Sequence, residues 1–128
     1  MINDYYGRDL AIYKLDRARE ETDTSELLLE NDRYKAANNR AYFAITAVLS
    51  MEPVAFKRHR DTIAYFNKNY VNEGKFPKSI EKSVAKAAKV RHASDYDEFY
   101  IASREEAILQ IQVAKELINL VDNFITKQ

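Results

Sequence analysis

Residues 103–126, SREEAILQIQVAKELINLVDNFIT, decide the fold. Ser103 followed three positions later by Glu106 is a capping box, in which hydroxyl and carboxylate each satisfy an orphan amide at a helix start. From there Ala107, Ile111, Ala114, Ile118, Val121 and Ile125 recur at alternating steps of four and three, with Ile108, Leu117 and Phe124 beside them. That period belongs to a helix, and its apolar side is broad enough to serve both a core and a second subunit.

The rest of the chain reads the same way. Only two Gly and two Pro occur in 128 residues, too few for the turns of a sheet protein, so long helices with short connections are expected. Ala11, Leu15, Ala18, Thr22 and Leu29 share one face of a helix over about 5–30; one long helix is favoured, although Thr22-Asp23-Thr24-Ser25 is a weak segment where it can break. Asn31-Asp32 ends it and caps a second helix, about 32–51, whose apolar side is Tyr34, Ala37, Ala41, Ala44, Ile45 and Val48. Asn38, Asn39 and Arg40 interrupt that side and must face water or pair inside a groove.

Pro53 opens a third helix, about 54–71, with Phe56, Ile63, Phe66 and Tyr70 buried, and Asn72-Glu73-Gly74 stops it. A fourth helix runs from Pro77 to about His92. Ile80, Val84, Ala87 and Ala88 form one side, and Lys78, Lys82, Lys86 and Lys89 share the other. Residues 95–102 read as a connection. The whole, 1–128, is expected to be a single all-α domain, a roughly up-and-down bundle of four to five helices.

Several function classes are excluded or disfavoured by composition. No run of eighteen apolar residues exists, so no membrane span is expected. The first residues carry no basic flank or apolar stretch of an export signal, and the absence of Cys fits a reducing compartment, so a cytoplasmic location is expected. Two His with no Glu three residues ahead of either give no di-metal carboxylate pattern, and no Gly-rich phosphate loop is present. No metal or cofactor is expected. Nothing local supports a Ser-His-Asp triad.

The zero net charge hides an uneven distribution. Residues 55–92 hold ten Lys and Arg against three acids, whereas 1–54 hold seven against ten and 93–128 three against seven. Such a basic middle suits a polyanion or an acidic partner, although a lysine stripe on a helix is more often a solvated face.

Chemistry concentrates in Val90-Arg91-His92-Ala93-Ser94-Asp95-Tyr96, which holds a fixed cation, an imidazole, a carboxylate and a phenol. If the fourth helix continues that far, Arg91 and Asp95 stand four apart on one face, either as a structural ion pair at a helix end or as a site. His59 lies within Lys57-Arg58-His59-Arg60, which alone reads as an exposed basic patch. Asn39-Arg40-Ala41-Tyr42-Phe43-Ala44 alone reads as core packing around a satisfied polar pair.

In order and spacing, Arg33-Tyr34, Asn39-Arg40-Ala41-Tyr42-Phe43-Ala44, His59, Gly74 and Arg91-His92-Ala93-Ser94-Asp95-Tyr96 resemble the HEPN superfamily. The chain is most similar to its small stand-alone branch, over about residues 10–126. The resemblance implies a helical bundle that commonly forms a homodimer, with Arg91 of both subunits near a shared cleft. It also implies a role beside a minimal nucleotidyltransferase, in toxin–antitoxin-like or nucleic-acid-linked systems.

The ribonucleases of that superfamily place a His five to seven positions after the Arg; here those positions hold Tyr96, Asp97 and Glu98. Moving a proton near neutral pH without a metal needs a group better matched than a phenol or an ordinary carboxylate. Three functional readings follow. In the first, a nucleotide- or RNA-binding module holds phosphate with Arg91 and Arg40. Asp95 orients Arg91, Tyr42 or Tyr96 stacks on a base, Asn39, His59 and His92 are further candidate binding residues, and the lysine stripe adds attraction. In the second, a metal-independent ribonuclease toxin uses Arg91 with His59, His92 or Tyr96 as proton carrier. In the third, a purely structural subunit binds a partner through its last helix.

Overall fold

The computed structural model describes residues 5–52, 56, 58–96 and 99–126; the side chains of His59, Asp95 and Tyr96 lie outside the described part. Five α-helices follow in order: α1 Tyr5–Glu30, α2 Tyr34–Leu49, α3 His59–Phe66, α4 Lys78–Tyr96 and α5 Arg104–Thr126. A π-helical turn, Asn67–Val71, extends α3, and no strand occurs among the described residues. Among the described residues no helix is long and apolar enough to cross a membrane.

Helix α5 starts as the capping box dictates. Ser103 Oγ accepts from the Glu106 amide at 3.1 Å, and the Glu106 carboxylate accepts from the Ser103 amide at 3.3 Å. The Tyr100 hydroxyl donates to the same carboxylate at 2.7 Å. All six residues of the predicted stripe are buried, together with Leu117. Its broad apolar side is thus largely consumed inside this one chain, against α1, α2 and α4, rather than left for a second subunit.

Helices α1 and α2 share the most extensive contact, and Ala11 and Ala18 on one and Ala37, Ala41 and Ala44 on the other, all buried, suit a close approach of the axes. The weak segment Thr22–Ser25 does not break α1. Its hydroxyls are satisfied without unwinding it: Thr22 Oγ1 donates to the Ala18 carbonyl at 2.7 Å, and Ser25 Oγ donates across to the Ala37 carbonyl of α2 at 2.6 Å.

The α1–α2 junction differs from expectation. Asp32 does not cap α2, whose N-cap position is Arg33 and carries no side-chain cap. Instead Asp32 adopts φ 60, the Asp32 amide donates to the Leu29 carbonyl and the Arg33 amide to that of Leu28, which is a Schellman closure of α1. Gly74 closes the π-helical turn in the same way at φ 78, with the Gly74 amide donating to Val71 and the Lys75 amide to Tyr70.

Two further boundaries move. The third helix begins at His59, not near 54; Pro53 to Ala55 lie outside the described residues, and Phe56 is 41% exposed instead of buried. Phe66 and Tyr70 are buried as expected and stack with Phe76, and Tyr70 meets Phe124 of α5 edge-on. The hydroxyls of Tyr65 and Tyr70 both donate to the buried carboxylate of Glu52. Helix α4 continues through Tyr96, so Asp95 and Tyr96 belong to its last turn and not to the connection.

Candidate functional site

The continuation of α4 fixes where Arg91 goes. At about 100° per residue Arg91 falls on the side of Ile80, Val84 and Ala87, which are buried. Its long stem therefore leaves from the core-facing stripe and its half-buried guanidinium reaches α2, where Nη1 donates to Asn39 Oδ1. This is a bond between side chains 52 positions apart, not the closing of the residue's own helix end.

The α2 side of the site is a stripe of Asn39, Phe43, Thr46 and Ser50, spaced by four, three and four. Phe43 is 48% exposed, and two guanidinium groups lie against its ring: Arg91 at 5.9 Å and Arg40 at 5.6 Å from the centroid. Arg40 is also held by Glu21 of α1 at 3.3 Å, so it is anchored beside the site rather than on Asn39. Phe43, Thr46 and Ser50 continue into an open groove of about 380 Å3 between α1 and α2, lined also by Tyr13, Arg17 and Glu21.

Tyr42 corrects an expectation. At 3% exposed it is part of the core, with Arg91 at 5.9 Å from its ring, and offers no open face to a base. The exposed ring is that of Phe43, which sequence reasoning passed over. The signal was there: Asn39, Thr46 and Ser50 mark a polar stripe that includes position 43 but not 42.

His92 is exposed, about 100° round α4 from Arg91. The roles predicted for His59, Asp95 and Tyr96 rest on side chains outside the described part. Lys78, Lys82, Lys86 and Lys89 are all exposed as one stripe, but that stripe lies roughly 180° round the axis from Arg91. The structure therefore does not join the lysines and the guanidinium into one surface.

A half-buried cation on a neutral amide acceptor, next to an exposed aromatic ring and a second cation, can hold an anionic oxygen and a flat apolar ring at once. Against this geometry the family comparison is decisive: a family model described as HEPN domain matches residues 13–124. The chain belongs to the HEPN family. A UPF0332 protein of Thermotoga maritima is 31% identical over 113 residues, covering 85% of this chain and 86% of that one. A candidate toxin of Methanocaldococcus jannaschii is 31% identical over 83 residues, 62% of each chain. In this HEPN protein, Arg91 and Asn39 come from the two motifs that carried the resemblance.

Proposed function

We propose that this HEPN domain is a phosphate- and base-binding module for single-stranded RNA, in which Arg91 holds a phosphate and Phe43 stacks on a neighbouring base. The observation that supports it is the half-buried Arg91 guanidinium, positioned by Asn39 against the exposed Phe43 ring with Arg40 on the same ring. Asn39 is a neutral acceptor, so its bond orients Arg91 without itself adding a countercharge that would compete with a phosphate oxygen. Positions 96 to 98 hold no imidazole, so the module binds with little or no cleavage. Titrating a short labelled single-stranded RNA at rising salt tests this: affinity falls with salt and drops about thirtyfold with Arg91→Ala, and binding that ignores both sinks it.

The M. jannaschii relative is named only as a toxin, which supports the toxin part of a second reading, a metal-independent ribonuclease toxin. Arg91 would then stabilise the negative charge of the phosphorane, with His59, His92 or Tyr96 carrying the proton. Expression would arrest growth and Arg91→Ala would relieve the arrest; cells indifferent to the wild-type protein argue against it. Pairing with a minimal nucleotidyltransferase and homodimerisation complete the proposal. Co-purification with the product of a neighbouring reading frame and sedimentation of the isolated protein check these two.

A further inference from the structure

A buried polar group of α5 bonds to the chain neighbour of Asn39 and to a carbonyl one turn ahead of Arg91, and takes no part in the site itself. Gln110 of α5 is fully buried, and its Nε2 donates to Asn38 Oδ1 of α2 at 2.9 Å and to the Ala87 carbonyl of α4 at 3.0 Å. Asn38, also fully buried, is the chain neighbour of Asn39. Ala87 is one turn ahead of Arg91, and in an α-helix its carbonyl is the acceptor for the Arg91 backbone amide. One side-chain amide thus fastens the residue beside Asn39 and the carbonyl beneath Arg91 together.

The direction of both amides is determined by chemistry. A carbonyl accepts only, so Gln110 must turn Nε2 towards Ala87, and the same nitrogen can then meet only the oxygen of Asn38. This arrangement costs stability. Asn38 Nδ2, Gln110 Oε1 and the buried Ser94 Oγ, one turn beyond Arg91, find no hydrogen-bond partner among the described residues. Apolar side chains of similar shape would fill the same space without that penalty. Polar groups kept at a cost, where one side chain of α5 bonds to both α2 and α4, call for a reason other than stability.

We propose that Gln110 is a positioning residue: its amide sets the register of α2 against α4, and so delivers Asn39 to the guanidinium of Arg91. The inference rests on the RNA-binding reading for its consequence, but not for its geometry. Gln110→Met, alone and combined with Asn38→Leu, removes the amide while keeping similar shape. The double variant is expected to keep its Tm within about 4 °C of wild type, or to exceed it. Affinity for the labelled single-stranded RNA is expected to fall about tenfold or more. In an Arg91→Ala background the same two substitutions are expected to cause no additional loss, because Gln110 acts through Arg91.

A ligand-free readout separates this inference from the reading it rests on. The side-chain amide resonance of Asn39 is expected to move in the double variant in the direction that Arg91→Ala moves it. An Asn39 resonance unchanged from wild type overturns the proposal, as does an affinity loss that persists in full without Arg91. If wild-type protein binds no RNA, the functional reading fails while the Asn39 resonance still decides the role of Gln110. Should the double variant not fold, Gln110→Met alone is read by the same resonance and the same criteria.

Discussion

Arg91 of α4 donates to Asn39 of α2 across the bundle, and the acceptor is a neutral amide. Had position 39 been a carboxylate, the pair would be a closed ion pair with little left for a ligand. With an amide this contact orients the guanidinium without itself adding a countercharge. Arg91→Ala is therefore expected to weaken RNA binding by about 2 kcal/mol, the usual scale of a charge-assisted bond, and Arg91→Lys to recover little of it because an ammonium lacks the planar fork. Asn39→Asp is expected to weaken binding too, because a carboxylate at that contact competes with phosphate for the guanidinium. Fluorescence titration of the three variants beside thermal unfolding checks this.

The neighbours Tyr42 and Phe43 should separate stability from binding. Tyr42 is buried, so Tyr42→Ala is expected to cost about 3 kcal/mol of stability. Phe43 is half exposed, so Phe43→Ala should move Tm little but cost about 1–3 kcal/mol of RNA affinity, the range for loss of a stacking platform. A Phe43→Ala protein that binds as wild type would remove the base-stacking half of the proposed function.

These two aromatics also show what sequence alone yields. The all-α bundle was legible because α5 announces itself twice, by the Ser103–Glu106 box and by an unbroken period to Ile125. The juxtaposition of α2 and α4 motifs was legible only through family resemblance, since no local pattern says that position 91 faces position 39. Phe43 was missed because two adjacent aromatics look equally core-like until the polar stripe at 39, 46 and 50 is taken as a face. Gln110 was missed because a lone polar residue among Ile and Val reads as a solvent position, although it stands three beyond Ala107 and four before Ala114, within the buried stripe. Pro53 misled about the start of α3 because a helix-opening residue permits a helix without requiring one.

The two Schellman closures predict stability changes of opposite sign. Asp32 occupies the left-handed position at φ 60, where a side chain costs about 1 kcal/mol relative to glycine. Asp32→Gly is expected to recover most of that, less the exposed hydrogen bond from the Tyr34 hydroxyl at 3.0 Å. Gly74→Ala is expected to lose about 1 kcal/mol for purely conformational reasons, because a Cβ there meets nothing within 4 Å. Urea unfolding of both variants reads the two signs directly.

Alkaline pH should loosen the fold through its phenols. Burial, then hydrogen bonding to the Glu52 carboxylate, pushes the Tyr70 hydroxyl above its ordinary value of 10.0; burial and Glu106 do the same to Tyr100. The folded state thus holds protons that the unfolded chain releases, so this stability is intact below pH 10 and falls as pH rises beyond it. Tyr70→Phe and Tyr100→Phe should each flatten part of that decline. A stability profile above pH 10 that is the same in wild type and both variants would contradict the assignment.

The lysine stripe is the sharpest test of whether charge or geometry governs binding. Lys78, Lys82, Lys86 and Lys89 are exposed but face roughly 180° away from Arg91 on the same helix. At physiological salt screening acts over about 8 Å, less than the diameter of a helix with its side chains, so the stripe contributes little field at the guanidinium. Changing all four to Gln is therefore expected to leave RNA affinity at that salt within about threefold of wild type, while Arg91→Ala alone does far more. If the quadruple variant instead loses binding and its salt dependence together, the nucleic acid lies along the outer face of α4, and the Arg91–Asn39 pair serves only to hold two helices together.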